Sequence, residues 1–214
     1  MNILTFDIEE WYLEKMYFGD HAEKYKEFDR YLGEILNTLD ERNLKGTFFC
    51  VGGLGREFPE VVKRIADRGH DVGCHSDIHT WLNKMTREEC LADTRMAVDS
   101  LEQVIGQKVK SYRAPAFSIG ASNKWAFEVL AECGIERDAS VFPAVRDFGG
   151  FAEFGQKTPA IIRYNGIELP HLYHKADGQR DCLLRWRLLP FLPIVVCKEG
   201  DGKCRLLDDV FSYW

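Results

Sequence analysis

The chain is predicted to fold as an α/β domain on a largely parallel sheet. Short apolar strands alternate with stretches of helical periodicity as far as about Pro170, the pattern of helices wrapped on parallel strands. The length, 214 residues, suffices for one sizeable domain with its own core. Acidic, histidine and arginine residues recur where strands are expected to end. In α/β sheets and barrels the carboxyl ends of strands are where ligands and chemistry collect.

Taken in order, Ile3 to Asp7 is the first predicted strand. Phe28, Leu32, Ile35, Leu36 and Leu39 form an apolar stripe at helical period. Gly46-Thr47-Phe48-Phe49-Cys50-Val51 reads as a short buried strand. Pro59 opens a helix carrying Val61, Val62, Ile65 and Ala66, and Gly69 ends it. Asp71 to Cys74 is the third strand, which puts His75 at its carboxyl end. Thr86, with Glu89 three residues on, is a capping box for a helix lined by Leu91, Thr94, Val98, Leu101 and Ile105 and stopped by Gly106. Val109 to Tyr112 is a strand running into Arg113, Trp125 to Cys133 is helical, and Ile135 to Val141 returns as strand. No internal repeat or low-complexity segment interrupts this order.

The net charge of −6, without a basic stripe, argues against nucleic acid as a partner. The first residues lack a basic region followed by a long apolar run, so they read as a strand and not as a signal peptide. No apolar stretch reaches membrane-spanning length; Leu183 to Val196 is interrupted by Arg185, Arg187, Pro190 and Pro193. A cytoplasmic location is therefore expected. The seven cysteines are odd in number and form no CxxC pair, so free thiols are expected.

The chemistry centres on Gly73-Cys74-His75-Ser76-Asp77-Ile78-His79. Histidines four apart on one helical turn point to the same side. Imidazole suits zinc and similar divalent metals, and one carboxylate would complete a three-ligand site with an open position, where hydrolysis becomes possible. Asp7 and Glu9 alternate along a strand and share a face, so they can divide the roles of ligand and general base. Ile8 points to the packing layer and Glu10 to the opposite face. Arg113 either orients the base carboxylate, binds a substrate oxygen, or forms a surface ion pair. Trp11 and Phe117 either stack on a sugar ring or pack in the core. Asp138 either supplies a supporting hydrogen bond or caps the next turn.

In order, these residues resemble the polysaccharide deacetylase family, also called the NodB-homology family or carbohydrate esterase family four. Thr5-Phe6-Asp7-Ile8-Glu9-Glu10-Trp11 is similar to a variant first motif of the D-[VI]-E-[DE]-aromatic type. His75-Ser76-Asp77-Ile78-His79 resembles the HSxxH motif, Arg113-Ala114-Pro115-Ala116-Phe117-Ser118 the third, and Asp138-Ala139-Ser140-Val141-Phe142-Pro143 the fourth. Gly46-Thr47-Phe48-Phe49 resembles the family's TFF strand. The resemblance covers roughly residues 1 to 170. It implies a distorted (β/α) barrel and metal-dependent removal of N- or O-acetyl groups from a sugar polymer. It implies Asp7 as general base, aided by Arg113, and His75 and His79 as ligands. The usual third ligand directly follows the base, where Ile8 stands, so Glu9 is its natural replacement. Trp11, Pro115, Phe117 and Asp138 become candidate substrate contacts. Zinc is the first-choice metal, with cobalt or nickel as alternatives.

The family's late histidine, a general acid, should stand in a run like FHPRDFD after GGGYFR. Neither run is present, although His171 and His174 remain. Residues 171–214 are accordingly an atypical tail, and the barrel is expected to be incomplete there. A frameshift near His171 is one reading, because shifted codons for Arg185 to Phe191 can yield the GGGYFR segment. A divergent native tail is the other. The frameshift reading implies an open barrel edge, low stability and weak turnover. Three functions follow: a carbohydrate deacetylase, a catalytically impaired carbohydrate- or metal-binding homologue, and an amidohydrolase acting on a small amide.

Overall fold

The computed structural model describes residues 3–9, 22–144, 149–155, 160–171, 183–184 and 194–197. Trp11, Glu10, His174 and most of the tail lie outside them, as do the side chains of Phe28 and His171. The strands are β1 (Ile3–Ile8), β2 (Thr47–Cys50), β3 (Asp71–Cys74), β4 (Ser111–Tyr112), β5 (Arg137–Asp138), β6 (Ala160–Tyr164), β7 (Ile167–His171), β8 (Leu183–Leu184) and β9 (Ile194–Cys197). The helices are α1 (Ala22–Glu41), α2 (Gly52–Glu57), α3 (Pro59–Asp67), α4 (Arg87–Ile105) and α5 (Ala126–Glu132).

The strands form one sheet in the order β6-β7-β5-β4-β3-β2-β1-β9-β8. From β1 to β5, and from β5 to β7, neighbours run parallel. The β6–β7 hairpin and the β8–β9 pair add antiparallel strands at the two ends. This is the expected α/β sheet, and it is not closed: among the described residues no pairing joins β6 to β8. On the side of β1 the sheet is extended by β9, which pairs with it from Ile3↔Cys197 to Phe6↔Ile194.

Strand alternation divides the sheet into two faces. Leu4, Phe6, Ile8, Phe48, Cys50, Val72, Cys74 and Tyr112 join the hydrophobic core. Leu32, Leu36 and Leu39 of α1, Val61, Val62 and Ile65 of α3, and Ala97, Val98 and Leu101 of α4 belong to the same cluster. Phe6 and Phe48 stack across β1 and β2 with ring centroids 4.6 Å apart. The other face is polar. Near the strand starts, Asp71 Oδ2 accepts hydrogen bonds from Thr47 Oγ1 (3.2 Å) and Ser111 Oγ (2.9 Å). One layer further on come Asp7, Phe49 and Gly73, in register across the sheet.

Several boundaries match the sequence reading and others do not. Thr86 caps α4 with the expected capping box, and Gly106 ends it in the left-handed conformation (φ 69°). The strands around Tyr112 and Asp138 are two residues each, shorter than the apolar runs suggested. The helix α2 was not foreseen, because glycines at 52, 53 and 55 disfavour helix on propensity alone.

Candidate active site

The polar face leads at its carboxyl end to a buried ion pair. Arg113 follows β4, and its Nη1 lies 2.6 Å from Asp7 Oδ1, with side-chain exposures of 1% and 8%. Nη2 donates to Thr5 Oγ1 at 3.0 Å, and the guanidinium lies 4.2 Å above the Phe49 ring. Five donors in a rigid plane let arginine satisfy these partners together. Of its three candidate roles, the structure shows the pairing with Asp7 and not a surface ion pair.

Glu9 leaves the end of β1 on the same face as Asp7, as alternation requires. Its Oε2 is in close contact with His79 Nε2 and lies 3.7 Å from His75 Nε2. The ligating atoms of Glu9, His75 and His79 all fall within 4.8 Å of one another. The expectation that the histidines share a helical turn is corrected: residues 75–80 form a loop, with Ser76 (φ 63°) and His79 (φ 62°) left-handed. Non-glycine residues adopt that region uncommonly, asparagine, aspartate and histidine more often than the rest.

His75 is fixed in a form suited to metal. Its Nδ1 lies 2.7 Å from the Arg113 carbonyl oxygen. A carbonyl only accepts, so Nδ1 carries a proton, and Nε2 is the ring nitrogen that faces Glu9. Burial pushes the Glu9 pKa up, but hydrogen bonds and charge from His75 and His79 outweigh it and hold Glu9 well below the usual carboxylate range. Burial likewise lowers His75, while Asp7 and Glu9 outweigh it and raise its pKa. Two imidazoles and a carboxylate, turned onto one point beside a second carboxylate, fit a divalent cation with borderline-soft preferences.

Pro115 and Phe117 follow Arg113, whose guanidinium lies 5.9 Å from the centre of the Phe117 ring. Pro115 is buried at the start of a short 3-10 turn (Pro115–Phe117). Phe117 is 7% exposed and packs on Phe142 with centroids 5.5 Å apart, a wall and not an open stacking platform. Asp138 is fully buried, and its Oδ2 accepts from the Ser140 N–H at 3.0 Å. Ser140 Oγ in turn accepts from the Ala114 N–H at 2.8 Å. Asp138 thus supports the Arg113 segment from below. Cys74 is buried, with its thiol pKa pushed well up by burial, as befits a structural residue. Sequence reasoning missed the groups holding the histidine loop: Arg56 of α2 and Asp93 of α4, both joined to Asp77. Asp77 inside the histidine run was their only sequence trace.

The profile of the polysaccharide deacetylase family matches residues 3–137, the span that holds Asp7, Glu9, both histidines and Arg113. The chain belongs to the polysaccharide deacetylase family. A peptidoglycan-N-acetylglucosamine deacetylase of Bacillus cereus is 32% identical over 107 residues, 50% of this chain and 39% of that protein. A peptidoglycan-N-acetylmuramic acid deacetylase of Bacillus subtilis is 28% identical over 106 residues, 46% of this chain and 40% of that protein. The chain thus spans about two fifths of these polysaccharide deacetylase relatives. The crystal structure of a putative polysaccharide deacetylase from Mycobacterium smegmatis superposes with a TM-score of 0.66 at 22% identity, covering 82% of this chain and 58% of that one. That likeness supports the family's distorted barrel fold. No helix among the described residues is long and apolar enough to cross a membrane.

Proposed function

We propose that the chain is a metal-dependent hydrolase that removes acetyl groups from N-acetylated, or O-acetylated, sugars of a polysaccharide. The observation that carries this reading is the convergence of Glu9, His75 and His79 beside the buried Asp7–Arg113 pair. Glu9, His75 and His79 would hold the cation, with zinc the first choice and cobalt or nickel as alternatives that the same donors suit. When bound, the cation supplies polarisation of the acetyl carbonyl and a lowered pKa for water. Asp7 takes the proton from the attacking water as general base. Arg113 fixes the Asp7 carboxylate through its 2.6 Å contact at Oδ1 and, through its backbone carbonyl, fixes the His75 tautomer. Pro115 and Phe117 wall the sugar side of the site. The names of the two Bacillus relatives, both peptidoglycan deacetylases, make an N-acetylated amino sugar of the peptidoglycan type the first substrate to try.

The test is acetate release from N-acetylglucosamine oligomers, an O-acetylated glycan and a panel of small amides. Zinc-loaded protein should release acetate from the oligomers, and Asp7→Asn should not. Release from the small amides alone would make it an amidohydrolase of another kind. A second reading, carbohydrate or metal binding without turnover, rests on Ile8 at the usual ligand position and on the missing FHPRDFD-like run. Metal and oligomer bound with no acetate released would establish that reading and sink the first.

A further inference from the structure

The loop that carries both histidines is held at the Ser76 carbonyl and at the Asp77 carboxylate, N–H and carbonyl by groups outside the site. The Asp77 carboxylate meets Arg56 through two parallel contacts, Nη1–Oδ1 at 2.6 Å and Nη2–Oδ2 at 2.8 Å. Arg56 Nη1 also donates to Ser100 Oγ at 2.9 Å, which ties the pair to α4. The Asp77 N–H donates to Asp93 Oδ2 at 3.0 Å. The Gly52 and Gly53 N–H groups, at the start of α2, donate to the carbonyls of Ser76 (3.0 Å) and Asp77 (2.9 Å). A Cβ on Gly52 would stand 2.5 Å from both Asp77 Oδ1 and Ala97 Cα, so only glycine permits this approach of α2 to the loop and to α4.

We propose that the Arg56–Asp77–Asp93 clamp positions the loop that brings His79 to the cation site. The inference rests on reading Glu9, His75 and His79 as metal ligands. His75 is held independently, by burial and by the Arg113 carbonyl. His79 is a quarter exposed (25%) and left-handed, and neither its residue type nor a helix dictates that backbone. Asp77 lies midway between the two histidines, so its carboxylate, N–H and carbonyl are the anchors that set the path from one to the other. The bidentate geometry fixes orientation as well as distance. Arg56 is a positioning residue in this scheme: it opens onto a surface groove with Lys63, Glu60 and Gln103, and none of Asp7, Glu9, His75, His79 or Arg113 lines that groove.

The test compares wild type, Arg56→Met and Arg56→Lys as metal-free full chains. Zinc affinity is measured by competition calorimetry, cobalt absorption reports ligand geometry, and thermal unfolding of the metal-free forms reports structure. Wild type should bind one zinc per chain. Arg56→Met should lose roughly tenfold in affinity, at the lower end of what supporting hydrogen bonds around metal ligands contribute, with an altered cobalt spectrum. Arg56→Lys, which keeps the charge but not the fork, should fall between. Equal zinc affinity and an unchanged cobalt spectrum in all three would overturn the clamp and leave the metal site standing. No zinc in wild type would overturn the site itself and the clamp with it. Should Arg56→Met fail to fold, Arg56→Lys decides alone: weaker zinc at unchanged apo stability supports the clamp, and equal zinc overturns it.

Discussion

Asp7 is nearly withdrawn from water, yet it is charged against Arg113 at 2.6 Å. Removing one partner of such a pair leaves a buried charge and costs about 3–5 kcal/mol. Arg113→Met should therefore lower unfolding free energy by about that much in urea titrations. Asp7→Asn keeps an acceptor for Arg113 but loses the base, so acetate release should drop by about 10²–10⁴ with metal binding retained. Asp93 gives a pH signature. Burial chiefly, with the Asp77 charge, pushes its pKa from 3.8 up to about 6, against the Asp77 N–H hydrogen bond and Arg56. The folded state then holds this proton more tightly than the unfolded chain does. The group's destabilising share is complete above about pH 6 and is relieved as pH falls toward 3.8. Asp93 faces Asp77, Arg56 and the Cys74 thiol. Asp93→Asn should flatten the dependence of Tm on pH across that window and raise Tm at neutral pH; an unchanged profile would contradict this assignment. The residues that converge at the site were legible, because Asp7 and Glu9 stand two apart at a strand end and the histidines follow another. The path between the histidines was not: neither serine nor histidine dictates the positive φ found there.

Among the elements, α4 is the best specified by local chemistry. Thr86 and Glu89 satisfy each other's backbone donors reciprocally, and Gly106 takes the left-handed exit. Thr86→Ala should cost about 1 kcal/mol in urea titrations and leave zinc affinity unchanged, since the cap lies on the far side of α4's first turn from Asp93. The strands β1, β2 and β3 were legible because runs such as Thr47–Cys50 and Asp71–Cys74 are short and almost continuously buried. β4 and β5 were overdrawn. Their apolar neighbours Val109, Ile135 and Val141 are buried without belonging to a strand, so apolarity marked burial and not pairing. The helix α2 escaped notice for the opposite reason. Its glycines weaken helix propensity but allow close approach to Ala97 and Ser100, a tertiary gain that a local reading does not see.

For the molecule as a whole, the site stands on the central strands β1 to β4, where the sheet is parallel and flanked on both sides. The tail reaches this centre indirectly. β9 covers the edge of β1, the strand that carries Asp7, and exposed strand edges promote association. An antiparallel partner drawn from residues 194–197 was not legible, because that segment departs from the family pattern; its pairing shows in the backbone and not in a motif. Reading the coding DNA through the codons for residues 168–214 separates the two accounts of the tail. A single-base shift that restores GGGYFR supports a frame-shifted tail, and no such shift supports a native one.

The central claim is that Glu9, His75 and His79 form a metal site. The measurement that bears on it most directly is the zinc, cobalt and nickel content of the purified full chain, beside a His75→Ala/His79→Ala double variant of matched circular dichroism. Wild type should carry close to one metal per chain, zinc foremost, and the variant almost none. Equal, negligible metal in both, even after incubation with zinc, would contradict that claim.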